Sequence, residues 1–273
     1  MEIGNTTVVV TGASSGIGAE LSVSMALAGA AELVLLARNE VALNEVARKV
    51  EAVGSRARIY SIDLSDVEAV KTVSGQIRNQ VGSPDILINN AGIGQWKYLQ
   101  DTRLQEIENY MAVPYLAAAW MTAQFLPAML ERGSGHIVNI SSVASRLAWP
   151  GATAYIASCR AMRGLSDALR ADLKRTNIRI SHYESGPVES PYWSNNPQSR
   201  ERVPGVAKLL LPVLSEEKAV HAIVKGITGN KRFIVPSTML RLIYLLHSAF
   251  PWLVQGLMTG TGSRLSSRTV NDY

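Results

Sequence analysis

Over the first 180 residues, short runs of β-branched residues and leucine alternate with longer stretches of helical period. Candidate strands lie at 6–10, 32–36, 57–61, 85–89, 136–141 and 178–182. The stretches between them, near 17–29, 41–53, 66–81, 101–131 and 152–175, read as helices. Val8-Val9-Val10 and Leu33-Val34-Leu35-Leu36 carry no charge, which marks strands covered on both faces. Strand–helix alternation of this kind predicts an α/β fold with a parallel sheet and right-handed crossovers. No repeat and no linker divides this body.

The pattern breaks after Tyr183. Residues 184–215 contain Pro187, Pro191, Pro197, Pro204 and Pro212 and read as a long loop of the kind that forms a lid or binding segment. A helix near 215–228 and a short strand at 232–235 follow. The boundaries are then a body over 1–236, including the loop 184–215, and an apolar helical tail over 237–273. Within the tail, 242–258 is an uncharged run of 17 residues, split by Pro251. That is the lower edge of a membrane span of about 20 residues. Three readings stay open: peripheral contact with a membrane, packing over a cleft or a partner copy, and a true span. Lys231, Arg232, Arg264 and Arg268 flank the run, which suits a segment lying in an interface.

Charge sharpens this division. Among the 273 residues the net charge is +5. Residues 1–200 hold 18 basic and 18 acidic side chains, whereas 201–273 hold 9 and 4, so the surplus belongs to the last quarter. A balanced body argues against nucleic acid as a partner. A 47% hydrophobic content excludes a disordered chain. One cysteine excludes a disulfide framework, and His136, His182, His221 and His247 show no metal-ligand spacing, so no metal is expected. The short polar start predicts no signal peptide, and the expected location is the cytoplasm, with or without membrane association.

The candidate chemistry begins at Thr11-Gly12-Ala13-Ser14-Ser15-Gly16-Ile17-Gly18, between the first strand and the first helix. Glycines there allow a tight turn and close approach to a pyrophosphate, and the helix N-terminus offers free N–H groups. The second strand ends Leu36-Ala37-Arg38-Asn39 without an acid. A carboxylate at that place would hold a ribose 2′-OH, whereas Arg38 can pair with a 2′-phosphate, so the cofactor is expected to be NADP(H). Otherwise Arg38 is a solvated loop residue.

Together these motifs resemble the short-chain dehydrogenases/reductases. Thr11–Gly18 is similar to that family's TGxxxGxG element, Asn89-Asn90-Ala91-Gly92 to its NNAG element, and Asp63-Leu64 to its adenine contact. Ser142 and Tyr155, thirteen residues apart, resemble its catalytic pair, and Ser185-Gly186-Pro187-Val188 its PGxV turn. The resemblance covers roughly 5–235. It implies a Rossmann-type, doubly wound parallel sheet of about seven strands in a single domain. It further implies a dimer or tetramer through the helices near 101–131 and 152–175. The cofactor residues it implies are Gly12, Ser14, Ser15, Gly16, Ile17, Gly18, Arg38, Asn39, Asp63, Leu64, Asn90, Ala91, Gly92, Tyr155, Pro187 and Val188.

Two positions depart from the family. Its lysine, four residues after the tyrosine, is Cys159 here, and its active-site asparagine falls on Pro114 when counted back from Leu126-Pro127, or on Asn109 if the alignment shifts. An unperturbed tyrosine has a pKa near 10, and a nearby cation favours its phenolate. Cys159 brings no cation. Arg163, one turn further on the same face, is the candidate replacement, while Arg160 points elsewhere. Cys159 itself reads as filler for the missing lysine rather than as a nucleophile. Trp96, Trp149, Tyr192 and Trp193 suit an apolar cleft for a bulky lipophilic substrate, or simple lid packing. The leading function is an NADP-dependent carbonyl reductase or alcohol dehydrogenase with Tyr155 as acid/base. The alternatives are a catalytically impaired NADP-binding pseudoenzyme and an enzyme of non-redox acid–base chemistry.

Overall fold

The computed structural model describes residues 2–92 and 94–264. Strands β1 (Thr7–Thr11), β2 (Glu32–Ala37), β3 (Arg56–Ser61), β4 (Ile86–Asn89), β5 (Gly135–Ser142) and β6 (Ile178–Ser185) alternate with helices. Those helices are α1 (Gly16–Leu27), α2 (Glu40–Ala52), α3 (Val67–Val81), α4 (Leu104–Met111), α5 (Ala117–Arg132) and α6 (Thr153–Asp172). The segment 184–215 forms β7 (Val188–Glu189), α7 (Pro191–Asn195), α8 (Pro197–Glu201), α9 (Gly205–Leu210) and β8 (Leu214–Ser215). Then come α10 (Glu216–Thr228), β9 (Phe233–Ile234), α11 (Thr238–Ala249) and α12 (Pro251–Gly260). Among the described residues the main sheet has seven strands in the order β3-β2-β1-β4-β5-β6-β9, all parallel.

Alternation along each strand builds two cores. Val8, Val10, Leu33 and Leu35 face α1, α2 and α10, where they meet Leu21, Met25, Leu43 and Ile223. Val9, Val34 and Leu36 face the other layer, against Val70, Ile77, Met121 and Phe125 of α3 and α5. Burying each such side chain contributes about 1.5–3 kcal/mol, which is why uncharged strand sequences mark the centre of the sheet. The chain leaves β1 outward to β2 and β3, then returns to β4 on the other side. The crevice at the C-terminal ends of β1 and β4 is therefore the topological switch point, where ligands of this architecture bind.

The proline-rich segment is more ordered than its sequence predicts. Pro191 and Pro197 each occupy the first turn of a short helix, where the missing N–H is no loss. Reading every proline as a breaker overlooked that use. Pro114 sits in a π-helical turn, Ala112–Leu116, that joins α4 to α5 and absorbs the irregularity. By length and composition the continuous run Leu104–Arg132 could cross a membrane, but Met121, Phe125 and Met129 are wholly buried against the sheet layer.

The tail folds back on the body. Between α11 and α12 the chain bends by 119°. Leu240, Tyr244, Val254 and Met258 enter a third core with Trp96, Trp149 and Trp193. Gln255 donates to the Ala148 carbonyl at 2.7 Å, and the Gly205 amide donates to the Thr261 carbonyl at 2.9 Å. Of the readings open for the tail, the inner face thus packs over the cleft. Arg268, in the proposed basic flank, and the rest of 265–273 lie outside the described residues.

Candidate functional site

Two loops meet at the switch point. Gly12 and Gly16 have φ of 66° and 55°, the left-handed region where a Cβ is strained. A Cβ on Gly12 would lie 2.9 Å from the Ala91 Cα, and one on Gly18 would strike the Gly12 carbonyl and the Asn90 amide. Asn90 Nδ2 donates to the carbonyls of Thr11 at 3.0 Å and Gly12 at 3.2 Å. The Thr11 hydroxyl accepts from the amides of Asn90 at 2.9 Å and Ala91 at 3.0 Å. The 89–92 segment therefore braces the glycine loop. Ser15 stands at the N-cap of α1, but its side chain caps none of the helix amides, which leaves the positive end of the helix open to the cleft.

That cleft has a volume of about 550 Å³. Gly12, Ser14, Ser15, Gly16, Ile17, Gly18, Arg38, Asn39, Asp63, Leu64, Asn90, Ala91, Gly92 and Tyr155 all line it. The residues fit a dinucleotide: side-chain-free backbone at the helix end, and a guanidinium at the far side. Asn39 has a second use, since its side chain accepts from the Ala42 amide at 3.1 Å and caps α2. The Asp63 carboxylate accepts from the Ser65 amide at 2.9 Å and hydroxyl at 2.7 Å. Those bonds, aided by Arg38 and opposed by burial, hold it below the usual carboxylate range. Pro187 and Val188 do not line this cleft. They line an adjoining pocket together with Ser142 and Tyr155.

The adjoining pocket is apolar and measures about 170 Å³. A cavity of roughly 150 Å³ accommodates one benzene ring, so the space beside Tyr155 takes a single ring or a chain end. A fused-ring substrate needs the lid displaced. Aromatic side chains set the walls: the Trp96 ring lies 4.9 Å from Trp149, 5.6 Å from Tyr155 and 5.8 Å from Trp193. Met258 of α12 and Leu211 close the pocket from the tail side.

Tyr155 lines both spaces. Burial, then Cys159 and Tyr192, push its phenol well above the ordinary tyrosine value, and a hydrogen bond with Ser142 works weakly against them. Cys159 is buried beneath it, and desolvation drives its thiol up to about 12. A neutral thiol is neither a cation nor a ready nucleophile, which favours the filler reading. Arg163 does not replace the lysine. Its Nη1 donates to Glu184 Oε1 at 2.6 Å, and its Nε lies 3.5 Å from Asp167 Oδ2. The opposing carboxylate on β6 captures it, a partner that sequence spacing on α6 does not reveal. Arg160 donates to the Arg146 carbonyl at 3.4 Å, also away from Tyr155. Pro114 and Val113 of the π-turn line the nucleotide cleft where the resemblance implies an asparagine.

Sequence reasoning missed several cleft residues: Ser141, Met162, Ser190, Asn195 and Asn196. It also placed Tyr192 on the substrate side alone, whereas Tyr192 lines both spaces and its hydroxyl donates to the Gly94 carbonyl. For Ser190, Asn195 and Asn196 the available signal is their place just after Pro187-Val188.

The short chain dehydrogenase family profile matches residues 6–201. An uncharacterized oxidoreductase of Mycobacterium tuberculosis is 36% identical over 230 residues, which are 82% of this chain and 64% of that protein. The chain thus spans just under two thirds of that relative's length. Among solved structures, a short-chain dehydrogenase from Sphingobium yanoikuyae in complex with NADPH is 26% identical with a TM-score of 0.76, over 98% of this chain and 99% of that one. One from Burkholderia phymatum in complex with NAD matches in fold at 23% identity, with a TM-score of 0.82, over 97% and 99%.

Proposed function

The chain belongs to the short-chain dehydrogenases, and from that premise we propose that it is an NADP-dependent reductase of a lipophilic carbonyl compound. The observation that carries this reading is the position of Tyr155, at the junction of the dinucleotide-shaped cleft and the apolar pocket, with Ser142 in the same pocket wall. A bound nicotinamide dinucleotide supplies the hydride. The chain's own residues do the rest. Ser142 hydrogen-bonds the substrate's carbonyl oxygen, Tyr155 donates the proton to that oxygen, and the tryptophan-lined pocket excludes water.

The state of Tyr155 bears on the initial rate in each direction. A phenol raised above its ordinary value is protonated throughout the neutral range, so it is a proton donor at rest and a poor base. At neutral pH the initial rate of reduction is expected to be limited less by the protonation of Tyr155 than that of alcohol oxidation. Cys159→Lys extends an ammonium from the floor of the cleft toward Tyr155 and favours the phenolate. The expected result is a rise in alcohol oxidation at neutral pH, with its pH profile moved to lower pH. An unmoved profile shows that the phenol does not control the reaction.

Arg38 supports the choice of NADP. It is exposed at the end of β2, lines the cleft beside Asn39, and no acid competes at that strand end. Charge-assisted bonds to a phosphate contribute about 1.5–3 kcal/mol. Arg38→Ala is therefore expected to weaken NADPH binding roughly 10- to 100-fold while leaving NADH binding nearly unchanged, as titration of each cofactor measures. Equal losses remove the phosphate contact.

The direct test is NADPH oxidation with lipophilic aldehydes and ketones, comparing the protein with a Pro114→Asn/Cys159→Lys variant. Turnover by the unaltered protein supports the reading. Turnover by the variant alone favours a nucleotide-binding protein without redox chemistry, a second reading that rests on Cys159 and Pro114. Substrate conversion with the cofactor unchanged favours acid–base chemistry instead.

A further inference from the structure

The two tail helices are apolar on both sides. On α11, Leu240 and Tyr244 point into the third core, while Met239, Leu242 and Leu246 recur at helical spacing on the outside. On α12, Val254 and Met258 are buried, while Trp252 is 73% exposed and Leu253 and Leu257 are each more than 40% exposed. Leu245 is 69% exposed, and Leu209 at the end of α9 is 83% exposed. A helix that faces only water carries polar residues outside, and contiguous exposed apolar area of this kind marks a contact surface.

Charge says which contact. Helices α9, α11 and α12 contain no acidic residue, and no acid occurs between Glu217 and Arg264. Lys208, Arg241 and Arg264 are exposed on or directly beside the same helices. Apolar residues, a tryptophan and flanking cations together match the boundary between the headgroups and acyl chains of an anionic bilayer. A protein partner for this face would have to be both apolar and acidic. The geometry excludes a span: α11 and α12 have 12 and 10 residues, about 18 and 15 Å against a hydrocarbon core of about 30 Å, and they are bent by 119°.

We propose that the outer faces of α11 and α12, with the tip of α9, dock the protein on an anionic lipid surface. The docking does not depend on the reaction proposed above. It would place the α9–α12 wall of the apolar pocket, formed by Ala207 and Met258, against the phase in which a lipophilic substrate dissolves.

The experiment is co-sedimentation of the full chain with phosphatidylcholine vesicles and with vesicles that also contain phosphatidylglycerol. Binding is expected to the anionic vesicles, weakly to the neutral ones, and to weaken with salt. Leu245→Glu/Trp252→Glu is expected to lose vesicle affinity at least tenfold while thermal unfolding and NADPH binding stay unchanged. Lys208→Gln/Arg264→Gln, which leaves the apolar packing alone, is expected to lower it about fivefold per charge. Absence of binding to anionic vesicles overturns the proposal. So does light scattering that shows a dimer which the Leu245/Trp252 variant dissociates, since the face is then a contact between copies. Loss of NADPH turnover with vesicle binding intact leaves the docking standing and overturns only the reaction.

Discussion

Tyr155→Phe is expected to lower the rate of carbonyl reduction by about 10²–10⁴-fold, the usual contribution of a positioned proton donor, while NADPH binding is largely retained. The substitution keeps the ring against Trp96 and removes one hydroxyl. Among the described residues that line the pocket there is no Asp, Glu, His or Lys to take over. The remaining phenol there, Tyr192, is pushed up by burial and is engaged with the Gly94 carbonyl. Pre-steady-state reduction by the variant measures the loss, and retained activity assigns the proton to Tyr192. The pH dependence carries the same sign. Because the Tyr155 pKa is raised, the donor form persists from neutral pH to at least the ordinary tyrosine value of about 10. Between neutral pH and about 10 the reduction rate is expected not to fall, and a descending limb just above neutrality contradicts the assignment.

The second large effect is on stability. Glu184 is wholly buried on β6, yet it receives Arg146 Nε at 2.7 Å, Arg163 Nη1 at 2.6 Å and the Ser145 hydroxyl at 2.9 Å, and His182 Nε2 lies 3.5 Å away. Burial pushes its carboxyl up, but the guanidiniums of Arg146 and Arg163 outweigh that and hold it below the usual range. Removing one member of a buried ion cluster leaves uncompensated charge and costs about 3–5 kcal/mol. Glu184→Gln strands the Arg146 guanidinium, leaves Arg163 only its 3.5 Å contact with Asp167, and is expected to lower the Tm by roughly 10 °C. Calorimetry decides this, and a shift of only a degree or two means that water reaches the cluster. Acid acts on the same region from two directions. His136 and His182 are held down to about 4 by burial, so they are neutral in the fold but charge in the unfolded chain. Stability is therefore lost as pH falls from about 6.5 toward 4. The contribution of Glu184, whose pKa is lowered, is present above the unfolded value of about 4.3 and lost as pH drops through its folded value. Acid unfolding is expected to start near pH 6, in the histidine window, before carboxylates titrate.

Much of this protein is legible from local sequence because local sequence decides it. Val8-Val9-Val10 can be only a covered strand, and the glycines at 12 and 18 are required where two loops approach within van der Waals distance. The cofactor side of the site follows from such short segments. The substrate side does not, because it is assembled from distant ones. Trp96, Trp149 and Trp193 meet across about a hundred residues, and Met258 reaches them from the tail. Arg163 shows the limit of reasoning within one helix. It lies on the Tyr155 face of α6, one turn beyond the position of the family's lysine, but Glu184 on a neighbouring strand wins it with a bond of 2.6 Å. The prolines of 184–215 failed differently: the same residue that ends one helix can begin another, and only the surrounding packing chooses.

The fold-back of the tail also orders events during synthesis. The three tryptophans of the pocket have left the ribosome long before the residues that cover them, since Val254 and Met258 lie about sixty positions beyond Trp193. Until α12 emerges, a nascent chain that folds its body holds an uncovered aromatic wall. Chaperones recognise surfaces of that kind, and incomplete chains that expose them aggregate. A premature stop between 237 and 254 would therefore be a quality-control problem for the cell more than a loss of catalytic groups, because none of those groups lies in the missing piece.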